Sequence, residues 1–169
     1  MLLSPLAAVA LMPAVDVAIL DSAHPASAAD ITRGEADAAF KPFAQSPPTA
    51  QGRHWIRISS SQPIAAEGFP VLVVHLARSA AAELLPADAQ PRPLPLTMEL
   101  PAFRGAHELV FALDRGLAAG EPLYLRIDSA GRGIGELTVR ASTLQSMLAR
   151  AEEHARMVSL SFGALTAVA

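Results

Sequence analysis

Residues Arg53-His54-Trp55-Ile56-Arg57-Ile58-Ser59 alternate in character one by one, and this stretch does most to limit what the chain can become. Ile56 and Ile58 point one way and Trp55 and Arg57 the other, the period of a half-buried strand. The segment Leu123-Tyr124-Leu125-Arg126-Ile127-Asp128-Ser129 repeats the pattern: Leu123, Leu125 and Ile127 share a face, and Tyr124, Arg126 and Asp128 share the other. Two such strands need a facing layer to cover their aliphatic sides, so the sequence points to a β-domain.

Further strand signals lie between and around them. Val71-Leu72-Val73-Val74-His75-Leu76 is dense in branched apolar residues, as in a central strand buried on both faces. Pro91, Pro93 and Pro95 precede and interleave the apolar positions Leu94, Leu96, Met98 and Leu100. Because proline donates no ladder hydrogen bond, that segment belongs at a sheet edge or in an extended crossing. Residues 80–85 fit a strand or a helical turn, and 108–113 and 136–140 read as strands. Ala36 to Phe43 reads as a short edge element anchored by Phe40 and Phe43. Gly131, Gly133 and Gly135 are expected to form a hairpin turn. Six or seven short strands with turn signals between them predict an all-β fold, an antiparallel sandwich.

At the C-terminal side, Ser142 with Gln145 predicts a capping box opening a helix. Leu144, Met147, Leu148 and Ala151 fall on one side of it, and Arg150, Glu152, Glu153 and Arg156 decorate the rest. No charge follows from Met157 to Ala169. The helix reads either as a core helix packed on the sandwich or as a juxtamembrane helix entering a bilayer, where a span needs about 20 apolar residues. At the other end, Met1 to Leu20 is largely apolar and Ala26-Ser27-Ala28 has a small-x-small pattern, as in a secretory leader. Asp16 interrupts the run and no basic residue precedes it, so a loose Ala/Pro-rich tail is the alternative. The expected division is a leader at 1–29, a sandwich at 30–141 and a helix running toward a membrane at 142–169.

Composition narrows the chemistry. The chain of 169 residues has a net charge of −3 and Lys41 as its only lysine, against the clustered basic surface that nucleic acid demands. It has no cysteine, hence neither a disulfide framework nor a thiolate metal site. The histidines 24, 54, 75, 107 and 154 have no zinc-site spacing, and His75 reads as a sheet residue. The run Gly131-Arg132-Gly133-Ile134-Gly135 lacks the following helix that a phosphate cradle needs. No activated serine and no paired carboxylates stand out. Catalytic residues, metal ligands and cofactors are therefore not expected, and neither is an enzyme.

The order of these features resembles a known family. The segment Gly52 to Ser59 with Trp55-x-Arg57, the Leu123-Tyr124-Leu125-Arg126-Ile127 strand and the charged-then-apolar helix resemble the periplasmic sensor domain, second extracellular type, of bacterial seven-transmembrane receptors with diverse intracellular signalling modules (7TMR-DISM). The resemblance spans Phe40 to Ala169, and Ser161-Phe162-Gly163-Ala164-Leu165 looks like the opening of that family's first membrane helix. Gln62 stands where an asparagine commonly closes the first strand, and Asp88-Ala89 replaces an Asp-Gly turn, which puts a hairpin near Leu84 to Leu96 in doubt. The resemblance implies a jelly-roll sandwich similar to carbohydrate-binding modules, at the periplasmic face of the bacterial inner membrane. It also implies an output domain, commonly a diguanylate cyclase or a histidine kinase, outside this chain.

The candidate ligand residues are Trp55, Arg57, Tyr124, Arg126 and Asp128. If their strands share a sheet, they form an aromatic, arginine-rich platform for a sugar or a small organic acid. The competing reading is architectural, an Arg57–Asp128 or Arg126–Asp128 pair on a solvated face with Trp55 covering its edge. The expected partners are a small molecule, the inner membrane through the C-terminal helix and a second copy of the receptor. A freestanding secreted sugar-binding module and a purely structural dimerisation domain are the rival functions.

Overall fold

The structure, a computed structural model, describes residues 12–20, 24–43, 52–76, 81–88, 90–101, 107–129, 136–153 and 156. Its described strands form two antiparallel sheets. Sheet 1 has the order β2-β1-β3-β8-β5, with β1 Val15–Leu20, β2 Lys41–Pro42, β3 Gly52–Ser60, β5 Ala81–Pro86 and β8 Leu123–Ser129. Sheet 2 has the order β6-β7-β4-β9, with β4 Pro70–Leu76, β6 Leu96–Pro101, β7 His107–Ala112 and β9 Leu137–Thr143. The chain passes from β3 to β4, β5 and β6 by changing sheets each time. Then β7 and β8 return beside β4 and β3, which is the nested winding of a jelly roll.

The two alternating stretches set the core. Ile56 and Ile58 from β3 and Leu123, Leu125 and Ile127 from β8 face Leu72, Val74 and Leu76 of β4 and Phe111 of β7, all buried. This is the interdigitated interior of a two-sheet sandwich. As its continuous apolar run requires, β4 is buried on both faces. Leu72 and Val74 enter the main core, while Val71 and Val73 join Val110 and Met147 in a second one outside sheet 2. Met147 belongs to helix α2, residues 144–153, which lies over that outer face. Arg140 and Arg150 both reach Glu108 beneath it, at 3.4 and 3.9 Å.

The helix begins one residue later than its sequence suggests. Ser142 is held in β9 opposite Val71, so Thr143 becomes the cap and its Oγ1 accepts the Ser146 amide at 3.2 Å. The first helical amide, Leu144 N–H, donates to the Phe69 carbonyl at 3.0 Å. Among the described residues no helix is long and apolar enough to cross a membrane. The uncharged run from Met157 to Ala169, expected to enter a bilayer, lies outside the described residues.

Two connections lead from one sheet to the other, one where a hairpin was expected and one where a crossing was among the expectations. β8 has β3 on one side and β5 on the other, so no place beside it remains for β9, which joins sheet 2 beside β4. The Gly131–Gly135 connection therefore passes between sheets; the glycines themselves lie outside the described residues. Likewise β5 edges sheet 1 and β6 edges sheet 2, so the Pro91, Pro93 and Pro95 segment is the extended crossing between them. β6 also carries a register shift between Leu96 and Met98.

The strand count exceeds expectation because the segment read as a leader contributes β1. Its residues pair with β3 from Val15 opposite Ser60 to Leu20 opposite Trp55. Ser27, in the small-x-small pattern, caps a short helix α1, Ala28–Thr32. Its hydroxyl accepts the Asp30 amide at 3.2 Å and its amide donates to the Asp30 carboxylate at 3.0 Å, a reciprocal capping box. The Ser27 hydroxyl, with its backbone amide, holds the Asp30 carboxyl below its ordinary pKa.

Candidate functional site

The outer face of sheet 1 is built in rows by strand register. One row runs Leu20, Trp55, Arg126, Glu83; the next runs Ala18, Arg57, Tyr124, Leu85; Asp16 sits beside Ser59 beyond it. The sheet thus brings all five sequence-derived residues onto one face of two neighbouring strands. What it does with them differs residue by residue.

Trp55 and Tyr124 are buried, roofed by the segment that runs through α1 and a 3₁₀ turn at Asp37–Ala39. Ile31 and Ala36 of this strap join Leu20, Leu85 and the two aromatics in a cluster of their own, with Phe40 packed at its side. The Phe40 and Tyr124 rings lie 6.1 Å apart, tilted by 49°. Two large rings projecting from the outward side of a sheet demand such a cover, since an exposed aromatic patch of that size is costly in water.

Asp37 closes the strap. Tyr124 Oη donates to its Oδ1 at 2.8 Å across 87 residues of sequence, and Arg57 approaches its Oδ2 at 3.2 Å. Burial, then the neighbouring Asp37 carboxylate, pushes the Tyr124 phenol far above its ordinary pKa. Arg57 also lies 5.9 Å from the centre of the Phe40 ring, within cation–π range.

Arg126 is held by Glu83 at 2.9 Å and lies 3.6 Å from Asp128, whose other oxygen takes the Arg53 Nε at 2.9 Å. The Arg126–Asp128 pair expected from sequence is therefore present. An Arg57–Asp128 pair is not: the register puts Asp128 opposite Arg53 and Arg57 opposite Tyr124. Asp37 and Glu83, the carboxylates that engage the two central arginines, carried no signal in the sequence, because only the folded strap and edge strand bring them there.

The roof leaves two openings. Beside Arg57 is a groove of about 710 Å³ lined by Asp16, Ala18, Phe40, Pro42, Phe43 and Ser59 among others. Around the β5 edge is a smaller recess of about 270 Å³ that includes Glu83, Glu99, Arg126 and Asp128. So Arg57 and Arg126 open into separate hollows, divided by the buried Trp55–Tyr124 cluster. Within the main core His54 is fully buried, its Nε2 3.5 Å from the Ser129 hydroxyl. Among the described residues no three His, Asp or Glu side chains converge as a metal site. No family model, curated protein or solved structure matches the chain.

Proposed function

We propose that this chain is a non-catalytic ligand-binding sandwich, the periplasmic sensing domain of a bacterial transmembrane signalling receptor held at the inner membrane through its C-terminal helix. The groove at Arg57 is the observation that carries the binding part of this reading. Its volume of about 710 Å³ suits a small molecule, the usual range being roughly 300–1,000 Å³. Phe40 and Phe43 offer apolar faces of the kind that stack on sugar rings, and the Arg57 fork can grip a hydroxyl pair or a carboxylate. A sugar or a small organic acid is the ligand class that this lining fits.

Such a ligand would compete with Asp37 for Arg57 and so act on the strap that Asp37 anchors to Tyr124. A mechanical route toward the helix also exists. β1, which walls the groove, touches β9, and Thr143 at the end of β9 caps α2. Binding would then bias one of two placements of α2 against the sheet.

Calorimetric titration of the full chain with a panel of monosaccharides and small dicarboxylic acids tests the binding site. Binding is expected from one of these classes, with Arg57→Gln weakening it about tenfold or more while the variant stays folded. Absence of binding across the panel, or binding indifferent to Arg57→Gln, overturns it.

The burial of Met147 favours a second reading, a freestanding secreted carbohydrate-binding-like module in which α2 is simply a cap on sheet 2. Detergent phase partitioning of the full chain separates the two. Recovery in the detergent phase supports the receptor, and recovery in the aqueous phase supports the module.

A further inference from the structure

A third hollow lies at the end of the sandwich, apart from the two on the strap face of sheet 1. It has a volume of about 720 Å³ and sits between the β5–β6 crossing and the β7–β8 connection. Its floor is apolar: Leu113, Leu117 and Leu123 reach it from the main core. Its rim is charged, with Asp88 and Arg92 from the crossing and Asp114 and Arg115 from the connection.

The connection wall is firmly built. Ile64 and Leu117 exchange both backbone hydrogen bonds, at 2.8 and 2.9 Å, and the Gly116 amide donates to the Leu113 carbonyl at 2.7 Å. Gly116 has φ 71°, and a Cβ there would collide with the Ile64 carbonyl, so the tight turn beside the hollow is open to glycine alone. The crossing wall is tied back by the Asp88 amide on the Thr32 carbonyl at 3.1 Å and the Leu94 amide on the Leu84 carbonyl at 2.7 Å.

The charges on this rim are used unequally. Arg115 is engaged by Glu121 at 2.9 Å. Arg92 and Asp114 have no ion-pair partner among the described residues, although both line the same hollow from opposite walls. A fixed apolar floor between a guanidinium and a carboxylate that have no ion-pair partner among the described residues is complementary to a molecule carrying both charges and an apolar group.

We propose that this end cleft binds a small zwitterion with an aliphatic side group, an α-amino acid of the leucine type. The carboxylate lies on Arg92, the ammonium on Asp114, and the side group on Leu113, Leu117 and Leu123. The site is separate from the Arg57 groove and stands or falls independently of it.

Titration of the full chain with L-leucine, followed by calorimetry and by backbone amide NMR shifts, tests the assignment. Leucinamide, which lacks the carboxylate charge, and 4-methylpentanoate, which lacks the ammonium, serve as single-charge probes. Leucine is expected to bind, with each single-charge probe about tenfold weaker or worse. Arg92→Gln and Asp114→Asn, both at exposed positions, are each expected to weaken leucine to a similar degree. Absence of leucine binding overturns the proposal. So does equal binding of either single-charge probe, or leucine affinity untouched by Arg92→Gln and Asp114→Asn in variants whose NMR spectra remain native.

Discussion

Removing residues 1–28, as cleavage after the Ala26-Ser27-Ala28 pattern would do, is expected to cost the domain a large part of its stability. The deletion takes away β1, which pairs with six successive positions of β3 from Ser60 to Trp55. Leu20 is buried between Trp55 and Ile31, and Val15, Val17 and Ile19 pack partly buried against the main core. Full burial of one such side chain stabilises by ~1.5–3 kcal/mol, so Leu20 at ~2 and the other three at ~1 each amount to ~5 kcal/mol. The ladder hydrogen bonds of six residues, at ~1 kcal/mol each, offset most but not all of the ~1.5 kcal/mol per residue needed to order the backbone. A net loss of about 2 kcal/mol remains, out of the ~5–15 kcal/mol that holds a typical domain. The Ser27 cap, removed in the same deletion, contributes about 1 kcal/mol more.

Urea unfolding of the full chain and of a chain beginning at Ala29, followed by the single tryptophan, measures the difference. With a urea slope of ~2 kcal/mol/M, a loss of about 3 kcal/mol lowers the midpoint by roughly 1.5 M. The deletion also turns β3 into an unprotected sheet edge, so concentration-dependent association should accompany the loss. An unchanged midpoint and slope in the shortened chain would refute the reasoning, because β1 could then be neither paired nor packed as described.

Two other perturbations probe the outer layers. Met147→Ala removes the fully buried anchor of α2 on Val71, Val73 and Val110 and should cost about 2–5 kcal/mol, with faster amide exchange along 144–153; unchanged protection there would exclude the packing. Tyr124 is the only tyrosine, so its absorbance reports one group: its phenol should stay protonated well above pH 10 in the folded protein. The unfolded chain releases that proton near pH 10.0 and the folded one does not, so stability is complete below that value and falls as pH rises beyond it. Tyr124→Phe removes this alkaline dependence, and titration near pH 10 with native circular dichroism intact would contradict the burial of the Tyr124 phenol against Asp37.

The strands were legible wherever side-chain character tracked a period of two. Ile56, Ile58, Leu123, Leu125 and Ile127 face the core as their alternation requires, and the Pro91, Pro93 and Pro95 segment, short of donors, is an extended crossing leading into the edge strand β6. β1 was hidden because Ala18, Ile19 and Leu20 continue a largely apolar stretch without a clear period of two, and only β3 beside them reveals the pairing. The hairpin expected across Gly131–Gly135 failed for a related reason, since β8 and β9 lie in different sheets. Local turn chemistry says that the chain changes direction, but which sheet receives the next strand depends on which neighbours are already taken.

Alternation along a strand tells which residues leave the core and is silent on what they meet outside it. Trp55 and Tyr124 left the main core as expected and met the strap, so the aromatic half of the anticipated platform became a second small core. The arginines beside them kept part of their exposure: Arg57 and Asp37 are each about one third exposed, at 32% and 33%. A pair that open to solvent contributes at most about 1 kcal/mol, so Arg57 does little for stability and more to fix where the strap sits. The Phe40 ring against Tyr124 and the Tyr124 hydroxyl on Asp37 hold the same segment from its buried side. Arg57 is thus the one member of the anticipated platform that touches both the strap and the open groove. A ligand of the proposed class would draw it from Asp37 at a cost small enough for ordinary small-molecule affinity to meet, whereas moving Trp55 or Tyr124 would require opening a core.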